Sequence, residues 1–173
     1  MKYILLFILT LTLPLSAKML TSPFDAMSST FGKKTKVTKK NTMLTGTQAK
    51  KISQSAKVKL KTKIFRIFTA KQGSKIVGYG VLVNRKVRTK NAVVLYMIDT
   101  KSTLKSIEII AFNEPNEYIP SKTWMGQFKD VPTANKLRLN KDIPAITGAT
   151  ISAKSIVDGS RIAFAIHDEL LKK

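Results

Sequence analysis

The sequence predicts an α+β domain: a twisted antiparallel β-sheet with helices packed on it, ending in a C-terminal helix that follows a Thr-Gly-Ala-Thr turn. Three observations predict it. Between Ile64 and Phe112 four runs rich in Ile, Val, Phe and Tyr are joined by links too short to hold a crossover helix, so neighbouring strands run antiparallel. Apolar residues at helical spacing flank that region on both sides. The chain of 173 residues has room for one domain with length left over at its N-terminus.

The first elements account for the extra length. Lys2 supplies a positive charge, Tyr3 to Leu13 is almost unbroken hydrocarbon, and Pro14-Leu15-Ser16-Ala17 ends in small residues. That is the order of a secretory signal peptide, expected over residues 1–17. The apolar run falls short of the ~20 residues a permanent membrane helix needs, although it could serve as an uncleaved anchor. Either way the rest of the chain is expected in the periplasm or another extracytoplasmic space. Residues 18–44, rich in Ser, Thr and Lys with no sustained period, read as a flexible basic linker. A domain is expected from 45 to 173.

Within that domain a first helix is expected from Thr47 to about Lys57, capped by Thr47, with Ala49, Ile52 and Ala56 on one face. Ile64 to Phe68, "KIVGYGVLV" from Lys75, "NAVVLYMID" from Asn91 and "LKSIEIIAF" from Leu104 then form a four-stranded meander. After Asn113 prolines break the pattern, and a short helix is expected around Ser121 to Phe128. The last helix follows Thr150. Ile156, Ala163, Ile166 and Leu170 form its apolar stripe, with Lys154, Asp158, Arg161 and Asp168 off it.

Composition removes several chemistries. With no cysteine and one histidine, His167, the chain has no disulfide, thiolate or Cys/His metal site, and catalytic residue types are few. No residue is assigned as catalytic. Lys and Arg number 31 against 10 Asp and Glu, a net charge of +21. The cations are dispersed from Lys33 to Lys173 with no nucleic-acid motif among them, so nucleic acid is not expected as a partner. A basic solvated surface, or attraction to an anionic ligand, membrane or acidic protein, is consistent with them.

The stretch that carries chemistry is Thr147-Gly148-Ala149-Thr150. Gly148 permits a positive φ, Ala149 adds little bulk, and Thr150 falls at or near the helix N-cap. Backbone N–H groups there have no partner and the helix dipole is positive, which suits a phosphate. Ser152 and Ser155 add hydroxyls in the first turn and Lys154 adds a cation.

"ITGATISAKSIVDGSR" resembles the signature of the FMN-binding domain family, whose members include flavin subunits of sodium-pumping NADH:quinone reductases and Rnf-type electron-transfer complexes. "KIVGYGVLV" is similar to the family's glycine-aromatic-glycine strand, and "NEPNEY" with "TWMGQF" occupies the place of its middle segment. The resemblance covers roughly residues 45 to 171. It implies FMN as cofactor, linked by a phosphoester to the final threonine of the motif, here Thr150. It also implies a flavin transferase as maturation partner and redox partner proteins, which can be membrane-bound. One position departs. Flavinylated members commonly carry an acid six residues before that threonine, where this chain has Pro144; Asp142 would serve only through a shifted loop, or the transferase would not recognise the chain.

An isoalloxazine ring is flat and mostly apolar and needs aromatic, sulfur or amide contacts. Gly78 and Tyr79 on the Gly-Tyr-Gly strand, and Tyr118, Trp124 and Met125, are candidates; Glu114 and Glu117 either orient the ring or shape a turn. The expected function is an exported flavoprotein relaying electrons. The rivals are a non-redox module binding an anion at the same helix mouth, and a flavin-dependent reductase.

Overall fold

The computed structural model describes residues 19–172, and the expected signal peptide lies outside the described residues. Six strands form one antiparallel sheet in chain order: β1 (Lys36–Met43), β2 (Ile64–Gln72), β3 (Lys75–Lys86), β4 (Asn91–Asp99), β5 (Thr103–Phe112) and β6 (Val131–Pro132). Four α-helices pack on it: α1 (Pro23–Phe31), α2 (Gly46–Ala56), α3 (Lys122–Gly126) and α4 (Thr150–Ile166), the last continued by a π-helical turn over His167–Leu171. The expected α+β architecture is the one observed.

Alternation along the strands sorts two apolar layers. Phe65, Ile67, Val81, Val83, Val94, Tyr96 and Ile98 point to one side and form the main core with α2 and α4. Phe68, Ala70, Leu95 and Met97 point to the other side, under Ala26 and Met27 of α1. Helix α4 lies deep in the main layer. Of its residues only Thr150, Ile151 and Lys154 are exposed and Arg161 half-buried.

Two expectations are corrected here. The stretch 18–44 is not a structureless linker, because it holds α1 and β1. Ser22 caps α1 by accepting from the Phe24 N–H, Pro23 opens it, and Met27 and Phe31 turn toward the sheet. Strand β1 pairs with β2 along its whole length, from Lys36 opposite Lys71 to Met43 opposite Ile64. Its side chains are mostly exposed, so backbone pairing rather than burial forms it, and hydropathy could not reveal it. The second correction is smaller. Helix α2 is capped by Thr45, not Thr47; Thr45 and Gln48 cap each other reciprocally in a capping box.

Candidate functional site

The turn before α4 is held from both sides. Ile143 is buried beneath it, and the Asn140 side chain accepts from the Ala145 N–H at 3.2 Å. The carbonyl of Ile146 accepts two hydrogen bonds, from the Ala149 N–H at 3.0 Å and from the Thr150 hydroxyl at 3.1 Å. Gly148 sits at φ +79° with open space where a side chain would be, so the chain can make the turn and leave that surface clear. Thr147, Gly148 and Thr150 are exposed while Ala149 is buried.

Thr150 is therefore the first residue of α4 and not its cap. Ala149 occupies the cap position, and no side chain closes the first turn. The N–H groups of that turn are left to an outside acceptor, and the dipole of a 17-residue helix stands behind them. Ile151, about half exposed, adds an apolar surface beside the hydroxyl.

Other residues expected at this mouth are not there. Ser152 and Ser155 turn inward and are buried. Lys154 reaches along the helix to Asp158 at 2.7 Å, so its charge is engaged one turn away. Asp142 accepts from both the backbone N–H and Nε of Arg138, at 2.8 and 3.1 Å. That pairing holds its carboxyl below the usual range. Pro144, at the position where an acid is common, contributes a carbonyl instead, which accepts from Trp124 Nε1 at 2.8 Å.

Trp124 is thus a loop anchor. It is buried, packs edge-on against Phe128 with centroids 5.3 Å apart, and fastens the segment leading to the turn. Met125 is half-buried against the same core. Glu114 shapes a turn: its carboxylate accepts from the N–H groups of Arg88, Thr89 and Lys90 and clamps the β3–β4 hairpin. These bonds, the one from Lys90 first, hold its carboxyl below the ordinary range. Tyr118 lies under the Arg88 guanidinium, 4.6 Å from ring centroid to Cζ.

The glycines of the Gly-Tyr-Gly strand pack against α1. A Cβ on Gly78 would stand 2.3 Å from the Phe31 ring, and one on Gly80 would stand 2.6 Å from Met27 Sδ. The close approach that these glycines permit is that of helix α1. Tyr79 points to the opposite layer and packs edge-on to His167, centroids 6.1 Å apart. His167 ends α4, so 17 residues of helix, roughly 25 Å, separate Tyr79 from the Thr150 turn.

Sequence reasoning missed the groups that seat α4. Asp158, expected off the apolar stripe of the helix, is buried and binds Arg85 of β3 at 3.2 Å, Lys154, and Arg161. Gly159 lies against Tyr96, whose hydroxyl donates to the Ile156 carbonyl at 2.8 Å. Burial pushes the Tyr96 phenol far up, so it remains a donor. An Asp-Gly pair and an Arg three residues on were the available signal. Among the described residues no group of His, Asp and Glu is arranged to hold a metal ion.

Residues 89–165 match the model of the FMN-binding domain. No curated protein matches the chain. The matched region runs from the turn between β3 and β4 into α4 and includes the Thr150 turn, while α1, β1, α2, β2 and β3 precede it. The turn suits such a cofactor chemically: an exposed hydroxyl, uncapped N–H groups and an unobstructed glycine can accommodate a phosphate, and Ile151 offers an apolar neighbour.

Proposed function

We infer the function from one premise: residues 89–165 of the chain match the FMN-binding domain. From it we propose an exported flavoprotein that relays electrons, with FMN linked by a phosphoester to Thr150. The observation that carries the reading is the exposed Thr150 hydroxyl at the uncapped start of an otherwise buried helix.

When bound, FMN supplies the redox chemistry, taking up and releasing electrons one or two at a time. The chain's own residues bind and orient. The first-turn N–H groups of α4 and the helix dipole would hold the phosphate, and Gly148 would leave the backbone clear of it. Esterification would remove the Thr150 hydroxyl proton and with it the hydrogen bond to the Ile146 carbonyl, worth about 1 kcal/mol. Trp124, through Pro144, keeps the loop in place. The basic surface favours an anionic flavin and acidic redox partners. Export rests on the order of residues 1–17, and attachment requires a flavin transferase in the same compartment.

Intact mass and in-gel fluorescence after denaturation, on protein exported in its own host, test this. The expected result is a mass higher by one FMN less water, mapping to the Thr150 peptide, and lost in Thr150→Val without loss of folding. A native yellow protein of unmodified mass would mean non-covalent FMN, with Pro144 the reason the transferase passes it by. A colourless protein of unmodified mass would replace electron transfer with the anion-binding reading that the net charge of +21 favours.

A further inference from the structure

A groove of about 620 Å³ opens between the C-terminal end of α2, the loop 134–142 and the middle of α4. It continues past Arg161 into a recess of about 190 Å³ bordered by Thr133, Phe164 and Asp168. We propose that this groove is a second ligand site, for a small polyanion bearing phosphate or carboxylate groups, separate from the Thr150 turn.

Charge and shape agree. Lys57 from α2, Lys136 and Arg138 from the loop, and Arg161 from α4 line the groove and its recess, so cations converge from three walls around a concavity of small-molecule size. The two carboxylates on the lining are already engaged. Asp142 accepts from Arg138, and Asp168 accepts from the Thr133 hydroxyl at 3.0 Å and lies 3.2 Å from His167 Nδ1.

Arg161 borders both the groove and its recess while bound to Asp158. Its Nη2 binds Asp158, but its Nε is buried and has no hydrogen-bond partner among the described residues. A buried donor on a cation left unmatched is costly, and Arg85 Nε in the same Asp158 cluster is unmatched as well, so this cost belongs to the cluster. Lys57 and Lys136 are exposed and form no ion pair among the described residues, so both are free to close on a ligand.

The walls are preformed. Lys57 ends α2 in a left-handed conformation whose N–H bonds back to the helix. The Arg138 carbonyl accepts from the N–H groups of Lys141, Asp142 and Ile143, which ties the loop into a closed turn. A site whose backbone is already ordered loses little entropy on binding. Its position is distinct as well. Arg161 lies 11 residues beyond Thr150, about 16 Å along α4, and no residue from 144 to 150 lines the groove.

The test titrates inorganic pyrophosphate, and separately citrate, into the full-length flavin-loaded protein by calorimetry at about 0.15 M salt. Lys57→Gln/Lys136→Gln removes two groove cations, and Lys36→Gln/Lys39→Gln removes two exposed cations from β1 with the same change in net charge. The expected result is measurable binding that the groove pair weakens about tenfold or more and the β1 pair by less than about twofold, with flavin content unchanged in both. Tighter pyrophosphate assigns the ligand to the phosphate class, and tighter citrate to the carboxylate class. Absence of binding by either probe, or equal loss in the two pairs, overturns the site in favour of diffuse attraction. Loss of flavin from the groove pair overturns its separateness from the cofactor.

Discussion

At the scale of single residues, the same side-chain type takes different work depending on what surrounds it. Thr150 and Ser152 are two residues apart, yet one hydroxyl faces solvent and the other is buried. Glu114, a candidate for touching a ring, instead collects three backbone N–H groups of a hairpin. Its depressed carboxyl has a consequence for stability. A group whose pKa is lower folded than unfolded stabilises above the unfolded value and loses that contribution as pH falls through the folded one. Asp130, beside Lys105, and Asp142, beside Arg138, shift the same way. Urea midpoints should therefore fall as pH drops below about 4.5, the ordinary glutamate value. Glu114→Gln should be less stable at neutral pH and show a shallower acid decline. An unchanged slope would mean that the clamp carries no proton linkage.

At the scale of elements, α4 is positioned by what it lacks. A Cβ at Gly159 would fall 2.2 Å from the Tyr96 hydroxyl and 2.9 Å from its Cζ. Alanine raises helix propensity by roughly 1 kcal/mol over glycine. Overpacking a rigid ring against a buried helix costs about 1–3 kcal/mol or more, so the clash wins. Gly159→Ala should lose about 2 kcal/mol in denaturant unfolding, and Gly159→Ala/Tyr96→Phe should recover part of it by removing the nearest atom. Full additivity of the two substitutions would show that Tyr96 is not the obstacle. Helices α1 and α2 teach the complementary point. Helix α2 was legible because Ile52 and Ala56 share a face, whereas α1 has nine residues and sits in a Ser- and Lys-rich stretch whose composition resembles a linker.

At the scale of the molecule, 31 basic and 10 acidic residues leave a surface that repels itself. The buried cluster at Asp158 gathers three cations on one carboxylate, and the lysines of β1 guard the free edge of the sheet from pairing with another chain. Screening should relieve the repulsion: the melting temperature should rise by a few degrees between about 0.02 and 0.5 M sodium chloride. A fall instead would show that the ion pairs outweigh the net repulsion.

Much was readable from short stretches, because short-range rules govern it. Strand alternation produced the meander from Ile64 to Phe112, and a glycine turn running into an apolar helix marked the Thr150 mouth. The pattern of residues 146 to 161 pointed to the family that the comparison then matched. What required the assembled chain was the identity of neighbours. Gly78 and Gly80 announce that something approaches closely, but only the packed sheet reveals that it is α1. Asp158 looks like any solvated acid until Arg85, 73 residues away along the chain, meets it. Strand β1 has no apolar alternation and exists because β2 offers it hydrogen bonds. Periodicity and turn chemistry depend on residues within a few positions of each other, whereas burial and charge pairing are set by distances that only the folded chain defines.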